Sequence, residues 1–295
     1  ALETASGHRD LVDNHLRVLR EQRYIFNNPC NPCCSCGDIC SNNCCEEICY
    51  ESCNPCDRFN AYMSIEGKWG STETRTGNYG LNYDTQLGLF GLDYRLRQNI
   101  NIGASFTYQT SQANIKEGRG SMDLNDYIPT VYSTYFGDNF FIDLASSIHF
   151  YQFRNIKRHV PFVDTTARAR THGCAAELNF DAGYVGTRNC LTYIPLIGLS
   201  FENLVISRFH ERDAGVYNLN SKRQYQRSLI GKLGGQLFYS LWNNTAVAFA
   251  ELVYQHEFLR DKHQMGMRFA NSTDNAVIRN FSSPVERESI KYSLG

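Results

Sequence analysis

No run of about 20 consecutive apolar residues occurs in the 295-residue chain, which excludes a membrane protein built of spanning helices. An excess of one charge sign is missing too. The 29 Lys and Arg stand against 30 Asp and Glu, for a net charge of −1, so composition does not point to nucleic acid as a partner. No glycine-rich loop ending in lysine is present to hold a nucleotide. No G-x-S-x-G or comparable nucleophile setting accompanies His149, His172, His210, His256 and His263. No catalytic residue and no cofactor is therefore expected. The opening ALETASGHRD lacks a basic stretch followed by an apolar one, so it does not read as a signal peptide. The expectation is either a cytosolic chain or an internal fragment, and 12 cysteines fit the cytosol poorly.

What is present is aromatic. The chain has 18 Tyr and 18 Phe but only two Trp, at a mean hydropathy of −0.42. A β-barrel in a membrane has this profile, because lipid-facing apolar residues alternate with lumen-facing polar ones while aromatics gather at the interfaces. Composition alone leaves a soluble all-β protein equally open.

Periodicity narrows the choice. From Asp10 to Phe26, Leu11, Val12, Leu16, Leu19 and Tyr24 recur at helical spacing with Arg9, Arg17, Arg20 and Arg23 interspersed, and Asn27, Asn28 and Pro29 end the pattern. After residue 58 the period becomes two. Phe59, Ala61, Met63, Ile65 and Trp69 alternate with Asn60, Ser64, Glu66 and Lys68. The same alternation runs through NINIGASFTYQ and AAELNFDAGY. Strands are expected at 59–70, 83–96, 99–110, 126–136, 139–153, 174–186, 190–204, 227–241 and 245–258, with a last one opening at Glu288. Most reach the roughly ten residues that a tilted strand needs to cross a bilayer. Connections alternate between short turns (RQN, GDN, GTRN, WNN) and long polar loops at 71–82, 111–125, 154–173, 205–226 and 259–287. A sandwich has no reason for that rule, whereas a barrel with short periplasmic turns and long external loops does. The expected fold is all-β, an up-and-down antiparallel transmembrane barrel. With the tenth strand cut off at Gly295, an even closure requires at least two more strands, so the chain is expected to end before its barrel closes.

Alternation also assigns a lumen-facing set: Glu66, Lys68, Asp143, Glu177, Asp181, Glu202, Lys232, Glu251 and Glu257. Acids outnumber bases there, and the helix carries arginines. Arg17, Arg20 and Arg23 are expected to pair with some of these acids if the helix sits in the lumen. The alternative is hydrated acids with the helix outside.

Ten cysteines lie between 30 and 56: Cys30, Cys33, Cys34, Cys36, Cys40, Cys44, Cys45, Cys49, Cys53 and Cys56. Two CNPC motifs bracket them, which keeps metal binding in play. The other six cysteines and the lack of histidine favour disulfides, within the segment or to other proteins. No metal site is assigned. Cys174 and Cys190, near opposite ends of one hairpin, are expected not to bond each other.

The ordered stretches NYDTQLGLFGLDYRLRQNINIGASFTY (82–108), VYSTYFGDNFFIDLASSIHFY (131–151), YIPLIGLSFENL (193–204), SLIGKLGGQLFYSL (228–241) and AELVYQHEFLRD (250–261) resemble the successive hairpins of the autotransporter β-domain of type V secretion. The resemblance covers 59–295. It implies a 12-stranded barrel in the bacterial outer membrane, threaded by a helical segment. It also implies insertion by the barrel-assembly machinery, contact with outer-membrane lipid, and export or surface display of an N-terminal passenger. The chain then divides into a helical plug or linker at 1–28, a cysteine-rich insertion at 29–58, which the family does not usually have, and the barrel at 59–295. Some members cut their passenger beside an asparagine pair. Asn27-Asn28 precedes Pro29 and reads as a turn, so self-cleavage is not expected. The cysteine density is similar to that of envelopes stiffened by disulfides between proteins. That similarity implies cross-linked envelope partners, and with them an alternative function as a structural anchor without transport.

Overall fold

The computed structural model describes residues 2–24, 58–74, 79–241, 246–259, 264–270, 278–281 and 287–295. The disulfide candidates Cys30 to Cys56 lie outside these residues. The chain opens with helix α1 (Leu2–Tyr24), followed by β1 (Phe59–Ser71), β2 (Leu81–Arg97), β3 (Ile100–Ile115), β4 (Gly120–Phe136), β5 (Phe140–Val160) and β6 (Thr165–Tyr184). Then come β7 (Gly186–Arg188), β8 (Leu191–Ile206), β9 (Phe209–His210), β10 (Leu219–Ser221), β11 (Gln224–Leu241), β12 (Ala246–Glu257), β13 (Gln264–Phe269), β14 (Ile278–Phe281) and β15 (Glu288–Leu294). The main sheet is antiparallel in the order β1-β2-β3-β4-β5-β6-β8-β11-β12-β15, with β7 paired to β8. It curls around α1. Among the described residues β1 and β15 do not pair, so the sheet is open there. A second sheet, β14-β13-β10-β9, is built from the connections between β8 and β11 and between β12 and β15.

Period-two alternation places the elements as it must. In β5 every second residue from Phe141 to Phe153 is buried, while Ile142, Leu144, Ile148 and Phe150 are exposed. Exposed leucines, isoleucines and aromatics on the outer face, with polar residues enclosed within, are the inverse of a water-soluble barrel. No described helix is long and apolar enough to cross a membrane.

Three expectations need correction. The helix begins at Leu2, not Asp10, a full two turns earlier. The stretch 111–125 is not a loop but the meeting of β3 and β4 across Lys116–Gly118. Likewise 154–173 is almost entirely strand, since β5 and β6 run for 21 and 20 residues and turn only at 161–164. At about 3.3 Å per residue this hairpin is on the order of 65 Å long, so it stands well clear of a bilayer.

Two glycines make room for the lumen's aromatics. Gly91 on β2 lies opposite Tyr62, and Gly103 on β3 opposite Tyr132. A Cβ at either position would run into the facing tyrosine ring. The rings lie across the glycines, and the Tyr132 and Tyr62 hydroxyls are hydrogen-bonded at 2.8 Å.

Candidate functional site

The candidate site is the contact between α1 and the inner wall of the sheet. Its apolar layer is formed by Leu11, Val12, Leu16 and Leu19, packed with Leu87, Leu89, Tyr132, Phe141, Ile194 and Phe238. Around and between these residues the contact is polar and ionic.

His8 shares hydrogen bonds with Thr107 (2.9 Å), Thr130 (2.9 Å) and Ser147 (3.2 Å), one mid-strand hydroxyl from each of β3, β4 and β5. Arg9 donates a charged hydrogen bond to Glu177 on β6 and lies 3.8 Å from Glu202 on β8. Glu177 also accepts from Asn179 at 2.9 Å and meets His149 at 3.2 Å. The other ring nitrogen of His149 is 2.8 Å from Asp126. Asp10 reaches both open edges, accepting from Lys68 of β1 at 2.6 Å and from Lys291 of β15 at 2.8 Å. Asp13 accepts from Lys232 of β11 at 3.2 Å. His15 stacks on Tyr62, with centroids 3.3 Å apart, and meets Asp93 of β2 at 2.9 Å. Arg20 pairs with Asp143 of β5 and lies over Phe141. At the short-turn rim, the Tyr24 hydroxyl lies 3.1 and 2.8 Å from the carbonyls of Gly137 and Phe140. With Arg17 over Phe249 of β12, the helix touches all ten strands of the curled sheet.

The wall carries acids in cross-strand register. Glu177 lies opposite Glu202, and Asp143 opposite Asp181. Like charges directly opposed on neighbouring strands destabilise a sheet. Each pair is answered by cations: Arg9 for the first, and Arg20 together with Lys232, 3.2 Å from Asp181, for the second. Arg9 and Arg20 are 11 residues apart, three turns at 3.6 residues per turn, so one helix face delivers both charges. Burial makes these bonds strong and exacting: the side chains of Glu177 and Asp143 are 0% and 2% exposed.

Of the residues assigned from sequence, Asp143, Glu177, Asp181, Glu202 and Lys232 converge on α1. Lys68 does so through Asp10, and Glu66 lies 3.4 Å from Lys68. Glu251 instead accepts from Gln236 at 2.7 Å, and Glu257 accepts from Ser228 and the Leu229 amide. Arg17 does not reach a wall acid. It pairs within the helix with Glu21 at 3.3 Å. Arg23 lies in the last turn. Sequence reasoning placed Arg9 with the helix arginines but did not expect it to pair, and it missed His8, Asp10 and Asp13 on the helix and Asp93, Asp126 and His149 on the wall. The period that marked Asp143 also runs through Ser147 and His149, so that signal was available for the wall. Beside the helix a cavity of about 40 Å³, lined by residues including Asp13, Lys232, Gln236 and Lys291, has room for water but not for another polypeptide.

Comparison with known proteins agrees with this architecture. The family model for the autotransporter β-domain matches residues 61–295. Comparison with curated protein sequences finds no match. Among solved structures, the translocator domain of autotransporter NalP from Neisseria meningitidis is similar at a TM-score of 0.64 and 12% identity, covering 99% of this chain and 95% of that one. At that identity the likeness is one of fold. The family match spans far more than half of the sequence, so the chain belongs to the autotransporter β-domain family and is a protein of the bacterial outer membrane.

Proposed function

We propose that the protein is an outer-membrane translocator that anchors in lipid and carries export or surface display of a passenger lying N-terminal to α1. The observation that supports this most strongly is the pair of opposed acids, Glu177 with Glu202 and Asp143 with Asp181, together with the helix cations that answer them. A wall meant to close on itself gains nothing from like charges in register. A wall built to receive a threaded chain does. Helix polarity fits the same reading, since α1 ends at the short-turn rim through Tyr24 and begins toward the long-loop end, where an upstream chain would emerge.

The reading includes insertion by the barrel-assembly machinery and assigns no catalysis and no nucleic-acid partner. It also takes the cysteine-rich segment to be periplasmic and disulfide-linked, within itself or to envelope proteins. Both described flanks support that location: Tyr24 bonds to the 137–140 turn, and the Arg58 carbonyl accepts from the Arg95 amide at the end of β2.

The test places an epitope ahead of Leu2 in the full chain and probes intact cells with protease, while purified protein is reconstituted in planar bilayers. Export predicts an epitope that is cut from outside, and a low conductance that rises when Arg9 and Arg20 are both changed to methionine. An epitope protected until lysis, or a conductance indifferent to those substitutions, would refute the reading.

A further inference from the structure

The near-zero net charge of the chain hides an uneven distribution. Between 154 and 172 the hairpin of β5 and β6 carries Arg154, Lys157, Arg158, Arg168 and Arg170 against Asp164 alone. The connection from β8 to β11 adds Arg208, Arg212, Lys222, Arg223 and, within β11, Arg227.

Their position on the sheet matters more than their number. Along the outer face of β6, Phe180, Leu178, Ala176 and Cys174 are followed by His172, Arg170 and Arg168, all exposed. On β11 the outward Leu237 and Leu233 give way to Arg227, with Tyr225 beyond it at 61% exposure. Just past the end of β8, Arg208 is exposed as well. The three strands are neighbours in register: Cys174 opposes Val205, and Val205 opposes Tyr225. The same registers pair Arg227 through Asn203 with Ala176, so Arg170 stands about 20 Å further out along the strands than Arg227; the arginines form a band that begins beside the last apolar residues and runs outward, with an exposed tyrosine within it, as at a membrane interface. Arg170, Arg208 and Arg227 have no ion-pair partner among the described residues. The nearby acids are already engaged, since Glu211 holds Arg158 at 2.6 Å and Asp213 lies 4.0 Å from Arg168.

We infer that this outward patch on β6, β8 and β11 binds the phosphate-bearing headgroups of the outer leaflet, with Arg170, Arg208 and Arg227 as its principal contacts. Planar guanidinium forks match phosphate oxygens two at a time, and arginine presents them better than lysine. A patch meant for a soluble polyanion belongs at the loop tips. This one continues the lipid-facing rows, so the partner is a lipid. The inference rests on the barrel standing in the outer membrane with its long connections outward, and it does not require export.

The experiment refolds the full chain into phosphatidylcholine vesicles containing either diphosphorylated lipid A or the same lipid stripped of phosphate. It follows the temperature at which the compact band on unboiled gels is lost. Phosphorylated lipid A should raise that temperature for the unaltered protein. For the variant combining Arg170→Gln, Arg208→Gln and Arg227→Gln, the lipid concentration needed should rise by roughly tenfold or more. Arg227→Lys, which keeps the charge and loses the fork, should fall between. Should the triple variant not fold, Arg170→Gln and Arg227→Gln singly carry the test. Equal stabilisation by both lipids, an unchanged response in the variants, or binding of heparin in solution without any response to lipid phosphate would overturn the inference.

Discussion

The wall of β3 to β8 and the open seam between β1 and β15 both hold the helix through ion pairs, yet the two sets work under different physics. In the wall, the Arg9–Glu177 and Arg20–Asp143 pairs have side-chain exposures of 10%/0% and 6%/2%. At the seam, Lys68 and Lys291 share Asp10 at 28% and 30% exposure, with Asp10 at 27%. Buried pairs offset a large desolvation cost with good geometry and extra hydrogen bonds, so losing one partner strands the other. Half-wet pairs are screened and cost little to lose. The wall therefore fixes where the helix sits, whereas the seam is held together by contacts that water can replace.

The largest effect is expected where that contrast is sharpest. Glu177→Leu leaves Arg9 with Glu202 at 3.8 Å as its remaining acid and removes the carboxylate beside His149. Helix docking should weaken by about 3–5 kcal/mol, the usual result of stranding one member of a buried pair. Amide hydrogen exchange across Leu2–Tyr24 measures it, because undocking exposes the helix while the strands stay protected. Arg9→Met combined with Glu177→Leu should recover part of the loss, and a coupling near zero in that cycle would mean that the pair does not hold the helix. A middle effect belongs to Gly91→Val. The added side chain would meet the Tyr62 ring on which His15 stacks, and overpacking of this kind costs about 1–3 kcal/mol. It should appear as a lower unfolding temperature together with faster exchange in the central turns of the helix.

The two regions also differ in how far the sequence reveals them. Strand alternation is a local signal, and it marks Asp143, Glu177, Asp181 and Glu202 as inward facing without knowledge of the fold. It cannot supply their partners, because pairing across 168 residues, as between Arg9 and Glu177, leaves no local trace. The first turns of α1 are unreadable for a related reason: their inward face is His8 and Arg9, so the apolar period that marks a helix begins only at Leu11. Arg17 looked equivalent to Arg20, but three residues are about 300° on a helix, which turns Arg17 to Glu21 and Phe249 instead. The outer halves of β5 and β6 look like loop because beyond the acyl chains nothing demands an apolar outer face. There the ladder is held by backbone hydrogen bonds and carries Arg, Lys and His at its exposed positions.

The smallest effect should come from the seam. Lys291→Met removes one of the two lysines on Asp10, and Lys68, 2.6 Å from the other carboxylate oxygen, remains to hold it. No charge is stranded, and every group involved still meets water. Each substitution, Lys291→Met or Lys68→Met, should therefore cost about 0.2–1 kcal/mol in helix docking and become smaller in high salt. Losing both together should cost more than the sum, because Asp10 then has no cation left and nothing ties β1 and β15 to the same helix turn. Exchange in β1 and β15, compared with β5 and β6 at low and high salt, reads this directly. Loss confined to the two edge strands is what a wet seam predicts. Loss spreading into β5 and β6 would mean that the seam and the wall are one cooperative unit, and the contrast between them would then not hold.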